Sequence, residues 1–180
     1  DLIRSAAVFV TQLEQPIPAA RRGLEIARAA GVTTILNPAP AAALDDAMLD
    51  LCDFITPNET EAETLTGLPV TTLAEAEKAA DALMARGVGA VIVTLGSNGA
   101  LYRDRKRSVH VPVISVGPVV ETTGAGDAFN GGLAVALSEG RDVIDAVRFG
   151  AATAGISVTR AGAAAAMPAR AEIDALLARG

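Results

Sequence analysis

A run of glycines followed by a single carboxylate is the part of this sequence best suited to chemistry. The residues are Gly124-Ala125-Gly126-Asp127, and a helical pattern starts at Gly124. Glycines bring backbone N–H groups close to a ligand, and a helix N-terminus favours an anion by roughly 0.3–1 kcal/mol. A carboxylate there can take the proton of a hydroxyl whose oxygen attacks a phosphate. The segment therefore predicts a phosphate-binding turn in which Asp127 is the general base.

Two familiar phosphate-binding patterns do not match this segment. Residues 126–131 have the glycine spacing of a Walker A motif, but Gly132 and Leu133 stand where Lys and Ser or Thr are needed. A dinucleotide-binding pattern fails because Phe129 occupies the position of its third glycine. Spacing alone is equally consistent with an ordinary Gly-rich helix start, in which Asp127 compensates the helix dipole.

The composition of the 180 residues excludes several classes of function. The net charge is −6 and aromatic residues are 3%, so the chain lacks the positive charge and the stacking surfaces that nucleic-acid binding requires. One cysteine cannot form an internal disulfide, and one histidine cannot build a multi-histidine metal site. We therefore expect chemistry that uses carboxylates, backbone amides and an added metal ion.

No targeting signal is found at the start of the sequence. Residues 1–4 lack the basic start and the apolar stretch of a signal peptide. No apolar run reaches the roughly 20 residues that a bilayer-spanning helix needs. The sequence therefore predicts a cytoplasmic protein that contacts neither membrane nor nucleic acid.

The hydrophobic pattern predicts alternating strands and helices. Continuous apolar runs indicate buried strands, and capping residues and glycines mark the helix ends. Strands are predicted at 6–11, 32–36, 52–56 and 88–95, a hairpin at 100–102 and 109–113, and helices between Pro16 and Gly31 and at 46–51, 72–87, 124–138, 142–159 and 168–178. This order predicts an α/β fold: a mostly parallel sheet with helices on both faces and a small antiparallel hairpin. Ligands bind at the carboxyl ends of the strands in such sheets.

Several segments of the sequence resemble, in the same order, those of one enzyme family. Residues 122–129 closely resemble the second signature of the ribokinase (PfkB) family of carbohydrate kinases, and residues 56–63 look like its Asn-x-x-Glu motif. Segments 37–41, 93–100 and 157–163 are similar to further ribokinase segments. The similarity runs from near Leu13 to the C-terminus, and it implies a ribokinase-like, three-layer fold.

The resemblance implies ATP-dependent phosphorylation of a sugar hydroxyl. Asp127 matches the catalytic base, and Gly124, Ala125 and Gly126 match the residues whose amides form an anion hole. The resemblance favours ribose, with ribose 5-phosphate as product. Two alternatives stay open: a kinase of another sugar or of a nucleoside, and a non-catalytic nucleotide-binding module.

The remaining site residues also follow from the resemblance. Asn58 and Glu61 match a pair that organises phosphates and Mg²⁺, with Glu61 acting through water, although their spacing is also that of a helix capping box. Glu14 matches a position that contacts the sugar. The positions that match the nucleotide-gripping segment are Thr94, Leu95, Gly96, Ser97, Asn98 and Gly99, together with Asn58 and Gly126.

A monovalent cation, usually K⁺, is a further expectation from the resemblance. The matching positions are Glu121, Thr123, Ser157, Arg160, Gly162 and Ala166, several of them through backbone carbonyls. Two of them depart from the family pattern. Glu121 stands where the family usually has Asp, and Ala166 stands where it often has Ser, so one arm is longer and one oxygen is lost.

The resemblance also predicts how this chain relates to a whole kinase domain. Residues 1–180 match the C-terminal, nucleotide-binding part, and the N-terminal sugar-binding and lid part is absent. We expect the chain alone to phosphorylate sugar poorly or not at all. A homodimer is an expectation for the full-length protein, because the lid commonly forms the dimer interface in the family. A dimer of residues 1–180 is not expected.

Overall fold

The computed structural model describes residues 1–179, which divide into two compact units. The sheet unit comprises residues 1–96 and 101–110, and the helical unit comprises residues 97–100 and those from 111 onward. Among the described residues, no helix is both long enough and apolar enough to cross a membrane. The cytoplasmic location stays a prediction.

The first part of the chain alternates short strands and helices, as predicted. Its elements are α1 (Leu2–Ser5), β1 (Val8–Thr11), α2 (Ile17–Ala29), β2 (Thr33–Leu36), α3 (Asp46–Leu49), β3 (Phe54–Ile55), α4 (Glu59–Thr66), α5 (Leu73–Ala85), β4 (Ala90–Thr94), β5 (Ala100–Arg103) and β6 (Ser108–Val111). A 3₁₀ turn at Gly96–Asn98 lies between β4 and β5.

The six strands form one sheet in the order β1-β2-β3-β4-β5-β6. The first four strands are parallel, with Val10 opposite Ile35 and Ile55 opposite Val91. Strands β5 and β6 follow as a hairpin and supply antiparallel pairing at one edge. The predicted α/β fold, with a mostly parallel sheet flanked by helices, is confirmed.

Leucine, isoleucine and valine side chains fill the core of the sheet unit. Residues with no exposed surface include Leu24 of α2, Leu36 of β2, Ile55 of β3, Leu83 of α5 and Val91 of β4. Burying each such side chain contributes about 1.5–3 kcal/mol. The core thus fixes the strands from which the site residues of this unit emerge.

The helical unit is built on close contact between two helices. Its elements are α6 (Ala125–Ser138), α7 (Val143–Ser157), a 3₁₀ turn (Ala164–Ala166) and α8 (Arg170–Leu177). A Cβ atom placed on Gly132 would lie 2.4 Å from Thr153 Oγ1, and one placed on Gly150 would lie 2.8 Å from the carbonyl oxygen of Phe129. Because glycine leaves this space free, α7 packs directly against α6 and fixes the direction of its N-terminus.

Capping residues set most of the helix ends at the predicted places. Thr72 and Glu75 form a complete capping box at the start of α5, and Asp142 accepts a hydrogen bond from the N–H of Ile144 at the start of α7. Gly31 and Gly140 follow α2 and α6 with φ of 72° and 74°, a conformation that glycine adopts without strain. The structure adds α1 and the two 3₁₀ turns, which span four residues or fewer.

One carboxylate organises the β5–β6 turn. Asp104 accepts hydrogen bonds from Tyr102 Oη at 2.7 Å and from the N–H groups of Lys106 and Arg107 at 2.7 and 2.6 Å. Burial raises the pKa of Asp104, but these hydrogen bonds outweigh it and hold the pKa at about 2. The turn between β5 and β6 is therefore ordered by one acid.

Replacing Asp104 with Asn should lower the free energy of unfolding at pH 7 by about 1–2 kcal/mol, because the charged acceptor is lost. The pKa of Asp104 in the folded protein lies below the unfolded value near 3.8, so its charged carboxylate stabilises the fold at pH values above 3.8. That stabilisation disappears as the pH falls through about 2. Urea unfolding of both proteins should therefore show a difference that shrinks between pH 4 and pH 2. A difference independent of pH would contradict the assignment.

Candidate functional site

Polar residues line the carboxyl ends of the parallel strands in the sheet unit. Gln12 follows β1, Asn37 follows β2, Thr56 follows β3 and Thr94 ends β4. Asn37 is buried; its Nδ2 donates to the carbonyl of Thr56 at 2.9 Å, and its Oδ1 accepts from Gln12 Nε2 at 3.3 Å. Hydrogen bonds thus connect the ends of β1, β2 and β3 to one another, at the edge of the sheet where ligands bind in parallel sheets.

Asn58 and Glu61 form the capping box of α4. Asn58 Oδ1 accepts from the N–H of Glu61 at 2.8 Å, and Glu61 Oε2 accepts from the N–H of Asn58 at 2.9 Å. Asn58 Nδ2 also donates to Glu61 Oε1 at 3.0 Å. The capping interpretation of this pair is confirmed, and the Mg²⁺ role stays a prediction.

The environment of Glu61 bears on that role. The residue is only 8% exposed, and burial raises the pKa of its carboxyl group, while the N–H of Asn58 lowers it. The described residues contain no cluster of three His, Cys, Asp or Glu side chains that could hold a metal. Mg²⁺ in kinases is usually held by one or two carboxylates and by substrate phosphates. A single oriented carboxylate therefore suits Mg²⁺ better than it suits a metal ion that needs several protein ligands.

The segment that follows β4 is a tight turn. The N–H of Thr94 donates to the carbonyl of Pro57 at 2.9 Å, which joins it to the start of α4. Leu95 is buried, whereas Gly96, Ser97 and Asn98 are exposed in the 3₁₀ turn.

Gly99 closes this turn with a φ of 87°. A Cβ on Gly99 would lie 2.1 Å from the carbonyl oxygen of Val111, so no other residue fits.

The glycine-rich turn adopts the predicted helix start in the helical unit. Gly124 is the N-cap of α6 with φ 77°, and its carbonyl accepts from the N–H of Ala128 at 2.9 Å. A Cβ on Gly126 would meet no atom within 4 Å. Asp127 is exposed in the first turn. The first turn of a helix presents N–H groups that have no carbonyl partner within the helix. The N–H of Ala125 donates to the carbonyl of Thr122 at 3.1 Å, and anion binding by the amides of this turn stays a prediction.

Asn130 supports this turn and was not predicted as a site residue. It is 5% exposed, and its Nδ2 donates to the carbonyl of Gly126 at 2.9 Å, one helical turn earlier. The i, i+4 spacing of an amide and a glycine in a helix start is the signal that could have indicated it. Asn37, buried at a strand end, could have been found as the polar residue directly after a buried strand.

The structure brings some of the predicted cation residues together and not others. Glu121 Oε2 accepts a hydrogen bond from the N–H of Gly162 at 2.7 Å, and this bond and one to the side chain of Thr123 lower the pKa of Glu121. Ser157 is buried and donates to the carbonyl of Ala154 at 2.9 Å. Arg160 pairs instead with Glu172 of α8.

Two predicted residues carry no evident role in the described contacts. The side chain of Ala166 is buried but has no oxygen. Glu14 is exposed in the loop after β1, and the neighbouring N–H of Leu13 donates to the carbonyl of Ala39 at 2.8 Å. Contact of Glu14 with a sugar stays a prediction.

Comparison with known proteins identifies one family. The sequence matches the profile of the pfkB family carbohydrate kinases over residues 1–170. It is similar to the ribokinase of Haemophilus influenzae, with 42% identity over 170 residues, which are 94% of this chain and 55% of that protein. It is also similar to the deoxyribokinase of Salmonella typhi, with 39% identity over 167 residues, which are 92% of this chain and 54% of that protein.

A solved structure resembles the fold over almost the whole chain. The structure of Arabidopsis thaliana ribokinase complexed with ribose and ATP matches with a TM-score of 0.94 and 34% sequence identity, covering 98% of this chain and 57% of that one. The chain therefore spans about half the length of the curated relatives that it matches.

Proposed function

Because this chain belongs to the pfkB family of carbohydrate kinases, as the match over residues 1–170 shows, we propose that it carries the nucleotide-binding part of an ATP-dependent sugar kinase. The observation that supports this most strongly is the first turn of α6. It combines a left-handed Gly124, an open face at Gly126 and an exposed Asp127. A phosphate-binding turn with a base needs these three features.

In the proposed mechanism, Asp127 takes the proton of the sugar hydroxyl while the hydroxyl oxygen attacks the γ-phosphorus of ATP. The bond from the γ-phosphorus to the β–γ bridging oxygen breaks, and ADP leaves. The amides at Gly124, Ala125 and Gly126 stabilise the charge that develops on the transferred group. Asn130 holds the carbonyl of Gly126 and so fixes the turn. Mg²⁺, held through water by Glu61, would neutralise phosphate charge. The role of Asn58 is to orient the phosphates and Glu61.

Net charge supports this use of backbone amides. The protein has 15 Lys and Arg residues against 21 Asp and Glu residues, and the residues of the anion-binding turn include neither Lys nor Arg. Phosphates held in this way depend on helix amides and a metal ion rather than on basic side chains. At the expected K⁺ position, Glu121 and Ala166 differ from the family pattern.

Ribose is the proposed sugar, with ribose 5-phosphate as the product. The Haemophilus influenzae and Arabidopsis thaliana relatives are both named ribokinases, and the latter was solved with ribose and ATP. Deoxyribose is the second candidate, because the Salmonella typhi relative is a deoxyribokinase of nearly the same identity. A comparison of turnover with the two sugars decides between them when it is made with this protein's own N-terminal part, since the part taken from a relative would impose that relative's sugar preference.

The proposal also covers domain organisation. Residues 1–180 correspond to the C-terminal, nucleotide-binding part of the kinase, and sugar selection, the lid and any homodimer interface belong to an N-terminal part. We therefore expect the chain alone to bind MgATP and to phosphorylate ribose slowly or not at all. Turnover is measured in an extended form, which is this chain joined to the N-terminal part of the Haemophilus influenzae ribokinase.

Calorimetric titration of the chain with MgATP tests the proposal. Saturable binding at one site per chain is expected, and it should weaken when Mg²⁺ is removed with a chelator. The absence of binding would contradict the assignment of residues 1–180 to the nucleotide. If MgATP binds but the extended form makes no ADP with any sugar or nucleoside, a non-catalytic module is the correct interpretation.

A further inference from the structure

One carboxylate connects the start of the anion-binding turn to a distant loop. Residues 122–127 are called the anion turn here, and residues 158–163 the latch loop. Glu121, which precedes the anion turn, accepts at Oε2 from the N–H of Gly162 at 2.7 Å. The carbonyl of Val158 accepts from the N–H groups of Val120 and Glu121 at 2.8 and 3.2 Å. Backbone and side chain of Glu121 thus hold both ends of the latch loop.

The latch loop lies directly against the first glycine of the anion turn. A Cβ on Gly124 would be 3.1 Å from the Cβ of Ala163 and 3.4 Å from its Cα. Ala163 follows Gly162, the residue that Glu121 binds. A movement of the loop would therefore change the space beside Gly124, whose left-handed conformation starts α6.

The length of the Glu121 side chain matters for this connection. An Asp at this position has one methylene group fewer, which shortens the arm by about 1.5 Å. The distance from the Gly162 nitrogen to the carboxylate is 2.7 Å with Glu121. If an Asp increases this distance by most of about 1.5 Å, the two groups no longer form a hydrogen bond. A Gln keeps both the reach and one acceptor oxygen, although without the charge.

Several of the six positions expected to hold a monovalent cation are poorly suited to one. K⁺ is coordinated in proteins by groups of carbonyl oxygens. Here the carbonyl of Ser157, one of the expected positions, already accepts the N–H of Arg160 at 3.1 Å, and the carboxylate of Glu121 faces an N–H donor. The side chain of Ala166 contributes no oxygen, and Arg160 brings a positive charge that pairs with Glu172.

We propose that Glu121 is a positioning residue that holds the latch loop against Gly124 through the N–H of Gly162, so that the anion turn keeps its shape without a bound monovalent cation. In this proposal an internal hydrogen bond, and not a cation, connects the latch loop to the anion turn. The consequence for nucleotide binding rests on the proposed function, whereas the connection itself does not.

The connection is tested by amide hydrogen exchange, measured by NMR on the ¹⁵N-labelled chain without nucleotide. The N–H of Gly162 should be protected in the native protein, equally in potassium chloride and in choline chloride. It should exchange at least about tenfold faster in Glu121→Asp, since its acceptor is out of reach, and protection should return in Glu121→Gln. Equal exchange in the native protein and Glu121→Asp, or protection that requires K⁺, would overturn the proposal.

The consequence for binding is tested by MgATP calorimetry in the same two salts at equal ionic strength. The native chain should show the same dissociation constant in both. Glu121→Asp should bind at least about fivefold more weakly in choline chloride, and Glu121→Gln should recover most of the loss. The control is Glu25→Asp, because Glu25 is on α2 of the sheet unit and forms an ion pair with Arg22; native affinity is expected there.

Two failures are distinguishable. If the native chain binds no MgATP, the proposed function is wrong for this chain. Amide hydrogen exchange at Gly162 then still tests whether Glu121 holds the latch loop. If the native chain binds MgATP at least about tenfold more tightly in potassium chloride than in choline chloride, the cation-independent positioning is wrong and the nucleotide assignment survives.

Discussion

Asp127→Asn lowers ribose-dependent ADP formation by the extended form by roughly 10²–10⁴-fold, the range expected for loss of a general base. Asparagine keeps the size of the side chain and cannot accept the hydroxyl proton at neutral pH. The affinity for MgATP should stay the same or increase, because the substitution removes a negative charge from an anion-binding turn. A coupled assay gives the turnover, and calorimetry gives the affinity.

Asp145→Asn is the matched control for this variant. Asp145 is exposed in the first turn of α7, so the same change is made at an equivalent position of the neighbouring helix. Its turnover should equal that of the unchanged protein. If Asp127→Asn and Asp145→Asn have similar turnover, Asp127 is not the base, and the dipole-compensating interpretation of this residue is correct.

Gly126→Ala separates binding from folding at the anion turn. A Cβ on Gly126 meets no protein atom within 4 Å, so the variant should fold normally and gain up to about 1 kcal/mol of stability from the better helix former. If phosphate occupies the open face, the methyl group displaces it, and both MgATP affinity and turnover fall by about 10–10²-fold. Thermal unfolding and calorimetry on the same samples measure the two effects.

Gly131→Ala provides the comparison on the same helix. A Cβ on Gly131 also meets no atom within 4 Å, and the residue is exposed. It should gain similar stability and keep native affinity and turnover. Equal loss of affinity in both variants would show that the effect is general to α6. Unchanged affinity in Gly126→Ala would show that phosphate does not bind at the open face beside Gly126.

Local signals predicted most of the fold. The starts of α5 and α7 follow from Thr72 and Asp142, which act through hydrogen bonds to residues two or three positions later. Strand β4 follows from a continuous apolar run that is buried in the structure. The start of α6 at Gly124 was predicted for the same reason, because helix capping depends on neighbours in sequence.

Contacts between distant residues could not be predicted in this way. Glu121 and Gly162 are 41 positions apart, and Asn37 and Thr56 are 19 positions apart. Each pair depends on how helices and strands pack, which periodicity does not encode. Family resemblance indicated Glu121 as a cation ligand, but it could not show that the longer arm reaches an N–H donor.

The most direct test of the central claim is ADP release by the extended form with MgATP, with and without D-ribose. The account predicts ribose-dependent ADP release with formation of a sugar phosphate, and loss of that activity in Asp127→Asn. ADP release that does not depend on a sugar, or ribose-dependent release that survives in Asp127→Asn, would contradict it.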